Sequence, residues 1–247
     1  MALLDVQDVE VRFGGVHALQ GVDLDVAPGR VTGLIGPNGA GKTTLFNVIC
    51  GLQQPTRGRV VFDERDITRL RAFRRARLGI GRTFQRLEVF GSLTVRDNLR
   101  VAAEVREGWG SSDGGSPDEI AAEVLRRVRL EHVADARTDA LPTGLLRIVE
   151  LGRALAARPR LLLLDEPSSG LAEAESELLA DIMNEQAREG LGILLVEHDV
   201  DLVMRVCSTI HVLDFGRIIA RGTPEEIRND ERVKAAYLGT GEAGNAA

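Results

Sequence analysis

Along residues 3–13 apolar and polar side chains alternate, with Leu4, Val6, Val9 and Val11 as the apolar set, and the alternation returns over 18–26. A period of two predicts a half-buried strand in each stretch. Pro28-Gly29 then turns the chain into VTGLI (31–35), a short apolar run that suits a buried strand. TTLFNVIC (43–50) reads as a helix closed by Gly51. After a turn at Pro55 come the strand GRVVFD (58–63), the run RAFRRAR (71–77) and IGRTFQ (80–85), a strand expected to stop at Gln85. The four arginines of 71–77 predict a solvated helix face.

From 86 to 158 the period changes. VRDNLRVAAEV (95–105) and PDEIAAEVLRRVRL (117–130) have helical spacing, and a third helix near 145–157 puts Leu145, Ile148, Val149 and Leu155 on one face. GWGSSDGGS (108–116) reads as a mobile surface loop in which Trp109 has no local apolar company. The block predicts a helical subdomain inserted into an α/β body. Strand and helix then alternate again. RLLLLDEP (160–167) suits a central parallel strand, expected beside VTGLI. A helix (173–189), the strand LGILLVEHD (191–199), a helix to about 207 and the strand TIHVLD (209–214) follow. Phe215-Gly216 turns into GRIIARG, Thr223-Pro224-Glu225-Glu226 opens a helix, and the tail from 240 reads as disordered.

Composition narrows the classes. The 247 residues, 44% of them apolar, are enough for a sizeable core. A net charge of −6 gives no basic footprint, so nucleic acid is not an expected partner. Cys50 and Cys207 lack metal-ligand spacing and read as reduced core residues of a cytosolic protein. No apolar run approaches the roughly 20 residues that span a bilayer. The acidic, alternating N-terminus reads as a strand, not a signal peptide. A soluble chain of this kind can still sit on a membrane partner.

The chemistry is carried by GPNGAGKTT, residues 36–44, which fits G-x-x-x-x-G-K-[ST] between a predicted strand and a predicted helix. Gly36, Gly41, Lys42 and Thr43 take the fixed places, Gly39 and Gly41 leave room for the backbone to wrap an anion, and the helix start offers free N–H groups. Lys42 is expected to reach the β- and γ-phosphates of a nucleoside triphosphate, and the Thr43 hydroxyl to bind Mg²⁺. Asp165 and Glu166 follow the leucine strand as what looks like an unpaired acid pair. Asp165 can hold the Mg²⁺ hydration shell, and Glu166 can act as general base or position water. Gln85 can offer its amide oxygen to Mg²⁺ and its N–H₂ to the attacking water, while His198 can donate to the γ-phosphate. Both are read as strand ends converging on one crevice. Phe13, in the polar setting RFGGVHAL, is either a ring for stacking on a base or a core aromatic at a strand end.

With these parts in this order, from about residue 3 to 239, the chain resembles an ATP-binding subunit of an ABC transporter. The resemblance makes Phe13 the A-loop aromatic, with Val16 beside the base, and 36–44 the Walker A loop, including Asn38, Ala40 and Thr44. It makes Gln85 the Q-loop residue, 161–165 Walker B, Glu166 the catalytic glutamate and His198 the switch histidine. RTFQ, LLVEHDVDLVM, GTPEEIRND and VKAAYLG resemble subunits that power branched-chain amino-acid uptake, and AYLG also resembles subunits for lipopolysaccharide export. The implied fold is α/β: a P-loop NTPase (RecA-like) core with an N-terminal antiparallel β-subdomain and an inserted α-helical subdomain. The core and β-subdomain take 1–85 and 159–239, and the helical subdomain takes 86–158. ATP and Mg²⁺ are the implied ligands. Transmembrane permease subunits, a second ATP-binding subunit and, indirectly, an extracytoplasmic substrate-binding protein are the implied partners, at the cytoplasmic face of the membrane. The apolar groups of RLEVFGSL (86–93) either face a permease helix or form the helical block's own small core.

The chain departs from the family at one face. The signature position reads LPTGL (141–145), with Pro142 and Leu145 where serine and glutamine are usual, leaving Thr143 and Gly144 to meet a phosphate. The D-loop SGLA (169–172) ends in Ala172 where an acid or amide is usual. Losing one charge-assisted contact to phosphate costs about 1.5–3 kcal/mol. A heterodimer with a normal partner is therefore favoured over a homodimer.

Overall fold

The computed structural model describes residues 2–109 and 115–238. The alternating N-terminal segments form β1 (Leu4–Phe13) and β2 (Val16–Val26), an antiparallel pair. With β4 (Arg57–Phe62) and β5 (Arg65–Asp66) they make a four-stranded antiparallel sheet in the order β2-β1-β4-β5. The second sheet holds β3 (Val31–Ile35), β6 (Ile80–Arg82), β7 (Leu161–Asp165), β8 (Gly192–Val196), β9 (Thr209–Asp214) and β10 (Arg217–Gly222). Its order is β10-β9-β3-β8-β7-β6, parallel except for the β9–β10 hairpin.

Every residue of β3, β7 and β8 is buried, which is why they read as unbroken apolar runs. Their two faces serve two cores. Val31, Leu162 and Ile193 pack with the helical block and α6 (Glu173–Arg188), while Leu34, Leu163 and Leu194 pack with α1 (Lys42–Cys50) and the antiparallel sheet. Between β6 and β7 the chain forms α3 (Val95–Glu107), α4 (Pro117–Arg127) and α5 (Thr143–Ala156). After β8 come α7 (Val200–Val206) and, past β10, α8 (Pro224–Asn229), with a Thr223–Glu226 capping box, and α9 (Glu231–Leu238). The expected disordered tail, and residues 110–114 of the expected mobile loop, lie outside the described residues.

Three expectations need correction. β7 does not adjoin β3: β8 runs between them, so Asp165 ends a strand two places from the phosphate-loop strand. β6 stops at Arg82 and β8 at Val196, so Gln85 and His198 stand on the loops beyond. The run 71–77, which holds α2 (Ala72–Arg77), is not wholly solvated: Arg75 is fully buried. Its guanidinium donates to the carbonyls of Val48 (2.7 Å), Ile49 (2.8 Å), Thr68 (2.9 Å) and Leu70 (3.0 Å). It thereby supplies donors that the last turn of α1 lacks. Charge counting along the chain cannot separate this arginine from its solvated neighbours.

Candidate active site

Residues 36–41 join β3 to α1. A side chain at Gly36 would meet the Leu213 carbonyl at 1.9 Å, and one at Gly41 (φ +111°) would meet the Ala18 carbonyl at 2.7 Å. Gly39, at φ +80°, faces open space, and Asn38 beside it is exposed while Ala40 is buried. No side chain caps α1 and no acid sits in its first turn, so its leading N–H groups are available to an anion. Lys42 is buried, and its ammonium folds onto the loop, donating to the carbonyls of Gly36 (2.6 Å) and Pro37 (2.9 Å). Burial lowers its pKa, against the opposing pull of Glu166 and Asp165. Thr43 is exposed and Thr44 half-buried.

Phe13 and Val16 are cross-strand partners at the β1–β2 turn, 51% and 66% exposed. Phe13 is thus no core aromatic. Two residues beyond Val16, the Ala18 carbonyl already lies against Gly41, so the exposed pair stands near the loop.

The carboxylates are not unpaired. Asp165 forms a buried ion pair with Arg82 at 3.0 Å, and its N–H donates to the Thr83 hydroxyl at 3.4 Å. Glu166 adopts φ +50° directly past the strand, and its N–H donates to the Val196 carbonyl at 2.9 Å. Its two carboxylate oxygens are taken by Gln85 Nε2 at 2.9 Å and His198 Nε2 at 2.9 Å. The structure therefore gathers Gln85, Glu166 and His198 into one cluster. A carboxylate positioned between an amide and an imidazole can align a water and accept its proton.

Two residues of this cluster's frame escaped the sequence reading. Glu197 is 3% exposed, accepts from Ser168 N–H (2.8 Å) and His198 N–H (3.0 Å), and so ties the loop after Glu166 to the loop bearing His198. The available signal was an acid ending the apolar run GILLV. Arg82 is the other, a lone cation closing an otherwise uncharged strand.

The signature segment starts α5. Pro142 and Thr143 are exposed, and Gly144 is buried beneath Glu175, whose carboxylate leaves no room for a side chain: a Cβ there would lie 1.9 Å from Oε1. Glu175 in turn accepts from Ala172 N–H at 2.9 Å, capping α6 where Ala172 itself cannot. Among the described residues, no hydrogen bond or ion pair joins Thr143 or Gly144 to Lys42, Glu166 or His198.

Metal fits this site only together with phosphate. Among the described residues no three His, Cys, Asp or Glu side chains are arranged to hold an ion. The hard oxygens of Thr43, Asp165 and Gln85 suit Mg²⁺ that keeps waters and phosphate oxygens in its shell.

An uncapped helix start, a glycine loop with its lysine, and a polarised carboxylate at the C-terminal edge of the same parallel sheet define a nucleoside triphosphatase of the phosphate-loop class. The comparisons narrow this class. The family model described as ABC transporter matches residues 19–169, and that described as branched-chain amino acid ATP-binding cassette transporter matches 217–243. The chain belongs to the ABC transporter family. It is similar to the high-affinity branched-chain amino acid transport ATP-binding protein LivG of Escherichia coli strain K12, 38% identical over 252 residues, covering 96% of this chain and 98% of that one. It is also similar to the lipopolysaccharide export system ATP-binding protein LptB of Haemophilus influenzae, 36% identical over 239 residues, covering 97% and 98%. Among solved structures, the ADP conformation of MJ1267, an ATP-binding cassette of an ABC transporter, matches with TM-score 0.86 and 31% identity, over 97% of this chain and 99% of that one. The chain is thus an ATP-binding, ATP-hydrolysing transporter subunit, and no helix among the described residues is long and apolar enough to cross a membrane.

Proposed function

We propose that this subunit energises uptake of branched-chain or other small hydrophobic amino acids. The match of residues 217–243 to the branched-chain cassette model carries this reading. The chain works at the cytoplasmic face, peripheral to permease subunits that meet an extracytoplasmic substrate-binding protein. In its own site, residues 36–44 and Lys42 hold the triphosphate, Phe13 and Val16 flank the base, and Thr43, Asp165 and Gln85 face Mg²⁺. Glu166 takes the proton of the attacking water, with Gln85 and His198 orienting it. Mg²⁺, when bound with ATP, supplies charge neutralisation at the phosphates.

Thr143 and Gly144 face the nucleotide of a second ATP-binding subunit. Pro142 brings no hydroxyl to that phosphate, so a heterodimer in which the partner brings an unaltered signature is favoured, with a homodimer as the alternative. Uptake of leucine, isoleucine and valine into proteoliposomes holding this subunit, its permeases and a binding protein tests the reading. Absence of ATP-driven uptake by an assembled, ATP-hydrolysing complex refutes it. The likeness to LptB supports a second reading, lipopolysaccharide export, which vesicles holding this subunit with lipid-export permeases distinguish by extraction of labelled lipid.

A further inference from the structure

Arg82 joins two regions that the proposed function leaves separate. Its side chain is 8% exposed and ends β6. One amino group donates to Asp165 Oδ2 at 3.0 Å, the other to Asn47 Oδ1 on α1 at 2.7 Å. Its guanidinium carbon lies 5.5 Å from the Phe46 ring centre and 4.9 Å from that of Phe84. Phe46 is fully buried, whereas Phe84 is 40% exposed. Phe84, Arg82, Phe73 and Trp109 together line a groove of about 360 Å³.

The Asp165 carboxylate therefore has a resident counter-ion. A metal ion brought to Asp165 by a nucleotide competes with that guanidinium for the same charge, and two cations a few ångströms apart repel. Arg82 can yield only where its surroundings yield. Phe46 is fixed in the core, but Phe84 is free on its groove side. We propose that Arg82 is a positioning residue that relays metal–nucleotide occupancy at Asp165, through Phe84, to the shape of the groove. The inference rests on the phosphate-loop site binding Mg-ATP.

Trp109, the only tryptophan in the chain, lines the groove and reports on it. In the full-length wild-type protein, Mg-ATP changes Trp109 emission, whereas ATP with a chelator does not. Arg82→Gln abolishes the change and lowers the Mg²⁺ concentration for half-maximal nucleotide binding, followed by calorimetry, by about fivefold. Arg82→Lys keeps a charge near Asp165 but loses the planar stack, so it retains the wild-type Mg²⁺ requirement and loses the emission change. Phe84→Ala does the same from the groove side. A wild-type emission change in any of the three variants overturns the relay, even if one of the others fails to fold. So does a wild-type protein that binds Mg-ATP with silent Trp109. Failure of the wild type to bind Mg-ATP at all instead overturns the nucleotide site.

Discussion

Glu166 is the side chain on which the proposed hydrolysis turns. Its left-handed backbone, at φ +50°, costs on the order of 1 kcal/mol. Glu166→Gln keeps the shape and removes the base, so ATP is bound but turnover falls by about a thousandfold in single-turnover assays. His211 gives a prediction of another kind. It sits in the middle of β9, buried, with both ring nitrogens unpartnered. Desolvation, aided by Arg221 and opposed by Asp25, pushes its pKa down to about 4 from 6.5. The unfolded chain therefore binds a proton between these values that the folded chain refuses. Stability is full above the unfolded pKa and declines as pH falls toward 4, by up to about 3 kcal/mol. Thermal melts at pH 7 and 4.5 should show that loss, and His211→Phe should flatten it.

At the scale of elements, Arg75 determines how α1 ends. Gly51 turns the chain at φ +77°, and Arg75 reaches across from α2 to the carbonyls of Val48 and Ile49. Burial draws its pKa down to about 10, which still leaves it charged at neutral pH. Arg75→Ala removes these donors, leaving the Val48 carbonyl only the Gly51 N–H at 3.1 Å, and should cost about 3 kcal/mol in denaturant unfolding, with nucleotide affinity falling only as the helix loosens. Nothing local in RAFRRAR marks this residue, because its partners lie up to 27 positions away. The strands were easier to read. Period-two alternation located β1 and β2, and four leucines located β7, because both patterns record which faces are buried. Neighbour order was not legible: β8 between β3 and β7 is set by crossover packing, not by any residue in VTGLI or LLLLD. The loops holding Gln85 and His198 read as strand because apolar residues run up to them. RLEVFGSL is divided: Val89 packs against the helical core, while Phe90 stays 44% exposed beneath Arg153, its ring 4.6 Å from the guanidinium.

For the whole molecule the question is what completes it. The phosphate loop was legible because the spacing of GPNGAGKTT is dictated by phosphate chemistry, whereas Glu166 and His198 were reached as expected strand ends, and the structure joins them at 2.9 Å with His198 on a loop. Arg82 and Glu197 were not legible, since each serves by touching another chain segment. In the proposed dimer the altered face at LPTGL puts the expected deficit in the partner's site, not in this chain's own. The purified chain alone should hydrolyse ATP slowly and without cooperativity, and adding a related subunit with an intact signature should raise the rate at least about tenfold. Rapid, cooperative hydrolysis by the isolated protein would remove the need for a second gene product.

The bracing of the phosphate loop has a practical corollary for engineering. Gly36 leans on the Leu213 carbonyl, and Gly216 at the following hairpin presses, like Gly41, on the Ala18 carbonyl. One extra residue in that hairpin, or a bulky fluorophore grafted onto it, would push the glycine cradle out of register. The lesion would pass for damage to Walker A itself while every residue of GPNGAGKTT remained in place.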